Sequence, residues 1–194
     1  PAGRHLVEQV FHAGGIPAVM KALEPLLCTE TLTVTGRSVG DNLPERPGTD
    51  PSVIAGLDSP FQSPQGLAVV RGNLAPDGAV IKCSAATPTL LRHRGPAVVF
   101  EDMADLLERF DDPDLDVAAD SVMVLRTVGP RGAPGMPEWG QLPIPTKLLR
   151  AGVTDMVRIS DARMSGTAYG TCVLHVSPES AAGGPLGLLR DGDM

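Results

Sequence analysis

The chain has few of the features that usually announce a function. Its three cysteines, Cys28, Cys83 and Cys172, stand far apart with no C-x-x-C pair, and an odd count argues against a disulfide framework. They read as small buried residues in a reducing compartment, and their spacing gives no sign of an iron–sulfur ligand set. The 16 lysines and arginines face 23 acidic residues and form no basic stripe, which removes support for nucleic-acid binding. A net charge of −7 chiefly favours solubility. No apolar run approaches the length of a bilayer span and no charged-then-apolar leader opens the chain, so a soluble, cytoplasmic setting is expected. There is no internal repeat, no low-complexity tract and no G-x-S-x-G nucleophile motif. The acidic run Asp111 to Asp116 lacks the spacing and terminal Glu of an EF-hand and reads as a solvated turn.

At 194 residues the chain is long enough for one domain with a sizeable core. It has no initiating Met and stops at Asp191-Gly192-Asp193-Met194 in what looks like a strand approach, so it is expected to be a piece of a longer protein.

What the sequence does contain is a stretch from Val157 to Pro178 that reads strand, small-residue turn, strand. The turn, Ser160 to Thr171, is rich in glycine and hydroxyls. Gly166 and Gly170 can take positive φ and let the backbone approach a ligand, and Ser165, Thr167 and Thr171 offer hydroxyls there. A second loop, residues 129–138 (GPRGAPGMPE), has three prolines and three glycines and ends on Glu138, beside the only tryptophan, Trp139. Each loop follows an apolar strand. Together they suggest two walls of one site.

On the residues alone, the bland readings stand beside these. Ser165 is also an ordinary turn serine, and Glu138 a solvated carboxylate after a proline-rich turn. Asp161 reads as a turn cap, Arg163 as a surface or core-edge ion-pair member and His175 as a hydrogen-bonded core histidine. Tyr169 is either a pocket residue or a packing residue. Lys82 snorkels from a strand, and His5 and His12 read as surface or interface residues.

The remaining chain sets these loops in order. Residues 4–13 predict a helix with Leu6, Val7, Val10 and Phe11 on one face, and residues 16–27 a second with Val19, Met20, Leu23 and Leu27. Thr31 to Thr35 reads as a short strand. The proline-rich stretch that follows, to Gln65, reads as a functional loop or a segment draped over a neighbour. Residues 66–84 predict a hairpin turning at Pro76-Asp77-Gly78. Gly95 to Phe100 and Ser121 to Val128 are strands. A helix opens at Glu101-Asp102 with Met103, Leu106, Leu107 and Phe110 inward, and another spans residues 144–153. The expected fold is β-rich α/β, a barrel-like core with peripheral helices over residues 31–194, preceded by a helical linker over residues 1–30.

SDARMSGTAYGT, then VLHVSPE and GGPLGLLRDGD, with GP-x-G-x-PGMPE upstream, resembles the C-terminal domain of the dihydroxy-acid dehydratase and 6-phosphogluconate dehydratase family. FHAGGIPAVMKAL and TLTVTGRSVGDNL extend the resemblance to the start of the chain. The SDARMSGTAYGT wording is more similar to the sugar-acid (aldonate) dehydratases than to the branched-chain biosynthetic enzymes. The resemblance implies a swivelling β/β/α domain and dehydration of a sugar acid to a 2-keto-3-deoxy acid. It implies Ser165 as base, Thr167 as a further active-site hydroxyl, and Glu138 as a ligand of Mg²⁺. It also implies a 2Fe-2S cluster whose cysteines belong to an N-terminal domain, and a homo-oligomer. Dihydroxy-acid dehydratase and a non-catalytic swivelling or binding domain are the alternatives. The chain alone is expected to be inactive.

Overall fold

A computed structural model describes residues 4–45, 48–61, 66–133, 142–165 and 169–194. They fall into two compact units, one within Gly3–Pro64 and one within Gln65–Met194. Among the described residues no helix is long and apolar enough to cross a membrane.

The first unit holds α1 (Val7–His12), α2 (Gly15–Ala22) and α3 (Val39–Asn42). The apolar positions of α1 match the expected spacing, yet none is buried: Leu6, Val7 and Phe11 are exposed. α2 stops at Ala22, short of residue 27, because Pro25 diverts the chain into a 3-10 turn over Glu24–Leu26. The expected strand at Thr31–Thr35 is only an isolated bridge, Leu32 to Ser38. The hydroxyls of Thr33 and Thr35 bond instead to each other and to Asn42, a local alternative to strand pairing.

The second unit is built on one mixed six-stranded sheet of order β1-β2-β6-β5-β4-β3. The strands are β1 (Ala68–Gly72), β2 (Ala75–Ile81), β3 (Ala97–Phe100), β4 (Val122–Leu125), β5 (Arg158–Ser160) and β6 (Cys172–Ser177). With its few helices, α4 (Met103–Arg109) and α5 (Thr146–Arg150), this is an α/β domain. The β1–β2 hairpin forms, but its turn is at Asn73-Leu74, where Gly72 pairs with Ala75. Pro76-Asp77-Gly78 lies inside β2, and Gly78, at φ 118, sits at a register shift against β6. The three residues that predict a turn thus distort a strand.

β3, β4, β5 and β6 run parallel, and such a sheet must be covered on both faces. Alternation along β3 sorts the two cores. Val98 and Phe100 join Leu106, Met123, Leu125, Leu142 and Met156, with Phe110 and Leu148 packed on them from the α4 and α5 side. Ala97 and Val99 join Val124, Val176 and Leu186 on the other face. Asp102 caps α4 by accepting from Asp105 N–H at 2.9 Å, and Asp111 accepts both the N–H and the hydroxyl of Thr146 at the start of α5. Asp111 is therefore a helix anchor as well as a turn residue. On α4, Leu106 is buried as expected, but Leu107 points outward at 62% exposure. The edge strand β3 is blunted: Val99 N–H donates to Asp191 Oδ1 at 2.6 Å, and Arg109 donates to Val99 C=O at 3.2 Å.

Candidate functional site

Because β3 to β6 are parallel, their carboxyl ends, Phe100, Leu125, Ser160 and Ser177, lie at the same end of the sheet. Ligands of open α/β sheets bind at that end. The loop leading to Glu138 leaves β4 and the loop carrying Ser165 leaves β5, its neighbour, so the fold brings the roots of the two expected walls together. Ser165 is half-buried on its loop. Glu138 and Thr167 lie outside the described residues.

The roots are held by buried carboxylates. Asp161, 1% exposed, accepts from Val128 N–H at 3.0 Å through Oδ1, and through Oδ2 from Ser180 N–H at 2.9 Å and from the Ser180 hydroxyl. It links the two loops, so its reading as a local turn cap is too modest. Glu179, two residues after β6, accepts from Arg131 N–H at 2.8 Å and Gly132 N–H at 3.3 Å. Gly129 packs on that carboxylate so closely that a Cβ there would fall 2.2 Å from Glu179 Oε2.

At the other end of the turn after β5, Asp155 gathers a second set of donors. It accepts from Thr171 N–H at 3.0 Å, from the hydroxyls of Thr87 and Thr171 at 2.7 Å each, and from Arg158 at 2.9 Å. Burial alone would push this carboxyl up, but the Thr171 amide, the two hydroxyls and the Arg158 charge outweigh it and hold it below its ordinary value. The Thr171 hydroxyl is therefore bound internally and not presented to a ligand. Gly170 does take positive φ, 87°, but what it approaches is the Arg158 guanidinium, 2.1 Å from a would-be Cβ. Tyr169 is exposed, and its carbonyl accepts from Arg158 at 3.2 Å.

His175 is hydrogen-bonded as the sequence suggests, but half-buried rather than in the core. Its Nε2 accepts from Met164 N–H at 2.8 Å, one residue before Ser165. Burial first, and then the nearby Arg163 charge, push its pKa below the ordinary value, which keeps Nε2 free to accept.

Arg126 is fully engaged, donating to Glu101 and to the carbonyls of Gly187 and Leu189. Asp161, Glu179 and Asp155 and the Arg126 and Arg158 guanidinia are thus engaged with backbone groups and with one another or Glu101. Among the described residues no three His, Cys, Asp or Glu side chains gather as a metal site. Only Cys172 is buried, with burial raising its thiol pKa, whereas Cys83 is half-buried and Cys28 exposed. That corrects the expectation that all three are buried. The described residues thus offer no complete donor set for a metal or a cluster.

None of these anchors could be read from spacing, since Asp161 reaches partners 33 and 19 residues away. The one signal was the presence of carboxylates inside otherwise apolar or small-residue surroundings.

A model of the dihydroxy-acid/6-phosphogluconate dehydratase C-terminal family matches residues 52–194. The chain belongs to this dehydratase family. A 6-deoxy-6-sulfo-D-gluconate dehydratase of Pseudomonas putida is 56% identical over 197 residues, covering 100% of this chain and 34% of that protein. An L-arabonate dehydratase of Azospirillum brasilense is 56% identical over 196 residues with the same coverage. A dihydroxy-acid dehydratase of Caldicellulosiruptor saccharolyticus is 45% identical over 199 residues, covering 100% of this chain and 35% of the relative. The chain thus spans about a third of the length of the curated dehydratases it matches, and it aligns along its whole length with both kinds.

Proposed function

We propose that the chain is the C-terminal part of a hydro-lyase that dehydrates a sugar acid, an aldonate, to a 2-keto-3-deoxy acid. The observation that carries this is the gradient of identity: 56% to the two sugar-acid dehydratases against 45% to the dihydroxy-acid dehydratase, over the same chain. The SDARMSGTAYGT wording points the same way.

In this reading Ser165 removes the proton from C2 of the substrate. The C2–H electron pair forms the C2–C3 double bond as the C3–O bond breaks, and the lost proton and hydroxide together make water. The enol then loses its C2 hydroxyl proton and gains one at C3, becoming the 2-keto acid. A serine hydroxyl at its ordinary pKa is too weak a base for this, so Ser165 would have to act as the alkoxide, which a nearby divalent cation and backbone N–H donors would stabilise. The bond from Met164 N–H to His175 supports that role by pinning the preceding residue. Thr167 orients the substrate or the enol.

Mg²⁺ and a 2Fe-2S cluster would supply Lewis-acid polarisation of the substrate oxygens. Of their ligands this chain would contribute Glu138 alone, a hard oxygen donor suited to Mg²⁺. The cluster cysteines and the remaining ligands would come from an N-terminal domain. The chain is accordingly inactive by itself, works in the cytoplasm as part of a homo-oligomer, and its sheet serves as the swivelling, barrel-like β/β/α domain. The test is turnover by the full-length, cluster-loaded protein carrying Ser165→Ala or Glu138→Ala. Each should lower kcat by about 10²- to 10⁴-fold with folding preserved. Unchanged turnover in both would instead favour a non-catalytic binding domain.

A further inference from the structure

A buried polar cluster lies at the carboxyl end of the sheet, at the roots of the two loops. Asp161 opens the Ser165 loop and Thr127-Val128 opens the loop toward Glu138. Ser180 touches both: its hydroxyl accepts from Thr127 N–H at 2.7 Å and donates to Asp161 Oδ2, which also accepts from Ser180 N–H. Asp161 Oδ1 closes the circuit on Val128 N–H at 3.0 Å. Thr127 sits at φ 65, in the left-handed region that costs a non-glycine residue about 1 kcal/mol or more. It persists there because its N–H is captured by Ser180 and because Gly132 packs on it, where a Cβ would lie 2.6 Å from the Thr127 carbonyl. Strain held by surrounding bonds is common at sites whose geometry must be exact to a fraction of an ångström.

We propose that Asp161 and Ser180 form a positioning pair that fixes the Ser165 loop against the loop leading to Glu138. Neither touches substrate. The proposal rests on the function proposed above for those two loops, and it adds residues that act through them. Catalysis is sensitive to such placement: an error of about 1 Å can cost about 100-fold in rate.

The experiment uses the full-length, cluster-loaded protein with Ser180→Ala, which deletes the shared hydroxyl, and Ser180→Thr, which keeps one. Backbone hydrogen exchange without substrate is measured first. Ser180→Ala should speed exchange both in residues 126–133 and in residues 160–165, and Ser180→Thr should restore protection. With substrate, Ser180→Ala should lower kcat at least about 10-fold with a smaller change in KM, and it should raise the Mg²⁺ concentration for half-maximal rate. Faster exchange in only one loop, or in neither, overturns the proposal. So does a lower melting temperature with kcat and Mg²⁺ dependence unchanged.

If Ser180→Ala does not fold, Asp161→Asn serves. Its amide keeps a single acceptor oxygen, so it can no longer accept from both Val128 and Ser180. The positioning account expects faster exchange in residues 126–133 and 160–165 with a raised Mg²⁺ requirement, and unaltered exchange or an unaltered Mg²⁺ requirement overturns it. Ser165→Ala is run alongside. If it keeps full turnover, the functional reading fails on its own, while the exchange data still report on the coupling of the loops.

Discussion

Nε2 of His175 lies 2.8 Å from the backbone nitrogen of Met164, so an imidazole lone pair in β6 holds the residue that precedes Ser165. The backbone of His175 reinforces this, its N–H donating to Ala162 C=O at 2.9 Å from a left-handed φ of 55°.

That bond requires an unprotonated Nε2, which gives it a pH dependence of known sign. The folded pKa is lowered by burial and by Arg163, so the folded chain prefers neutral His175. Its contribution to stability is complete above the unfolded value of about 6.5 and declines as pH falls from there toward the folded value. Urea unfolding at about pH 7.5 and about pH 5.5 should show a loss in the wild type that is smaller in His175→Gln. Equal losses would mean that another group carries the effect.

Asp155 gives a second pH window, lower and set by a carboxylate. Its folded pKa is below the ordinary value, so its contribution is complete above about 3.9 and is lost as pH falls through the folded value. At neutral pH, Asp155→Ala should cost about 3–5 kcal/mol, because it leaves Arg158, whose side chain is 7% exposed, buried without its partner. Denaturant titration of the variant reads this directly. A loss below about 1 kcal/mol would place the pair among ordinary surface bridges.

Gly170 and Gly183 separate backbone strain from crowding. Both are left-handed, at φ 87 and 84, but a Cβ at Gly183 meets nothing within 4 Å, whereas at Gly170 it would strike Arg158 and Asp155. Gly183→Ala should cost about 1–2 kcal/mol, and Gly170→Ala clearly more, since the buried ion pair must also move. Equal costs in urea unfolding would contradict the packing described around Arg158.

The adjacent leucines of α4 make a similar comparison. Leu106→Ala should destabilise by about 2–5 kcal/mol, and Leu107→Ala by under about 0.5 kcal/mol. A large effect at Leu107 would mean that its exposed face is covered in the assembled protein.

Leu107 also illustrates where sequence reading stopped. A helical period places residues on a face but leaves the width of the buried stripe open, and here Leu106 is fully buried with Met103 and Phe110 packed partly buried beside it. The apolar runs at residues 97–100 and 122–125 announced buried strands because a parallel sheet excludes polar residues from both faces. Pro76-Asp77-Gly78 misled because its local turn preference yielded to pairing of β2 with β1 and β6. The two loops of the candidate site were visible in their glycines, prolines and hydroxyls. The circuit beneath them, from Asp161 to Val128 and Ser180, was not, since it depends on the order of strands in space. Thr171 shows the same limit from the other side: its hydroxyl looked available and is taken by Asp155.

The most direct test of the account is an anaerobic assay of the full-length, cluster-reconstituted protein with Mg²⁺, following 2-keto acid formation from pentonates, hexonates and dihydroxyisovalerate. The account predicts turnover of an aldonate, with dihydroxyisovalerate poor or inert. Turnover of dihydroxyisovalerate alone would contradict the sugar-acid reading and make the protein a dihydroxy-acid dehydratase.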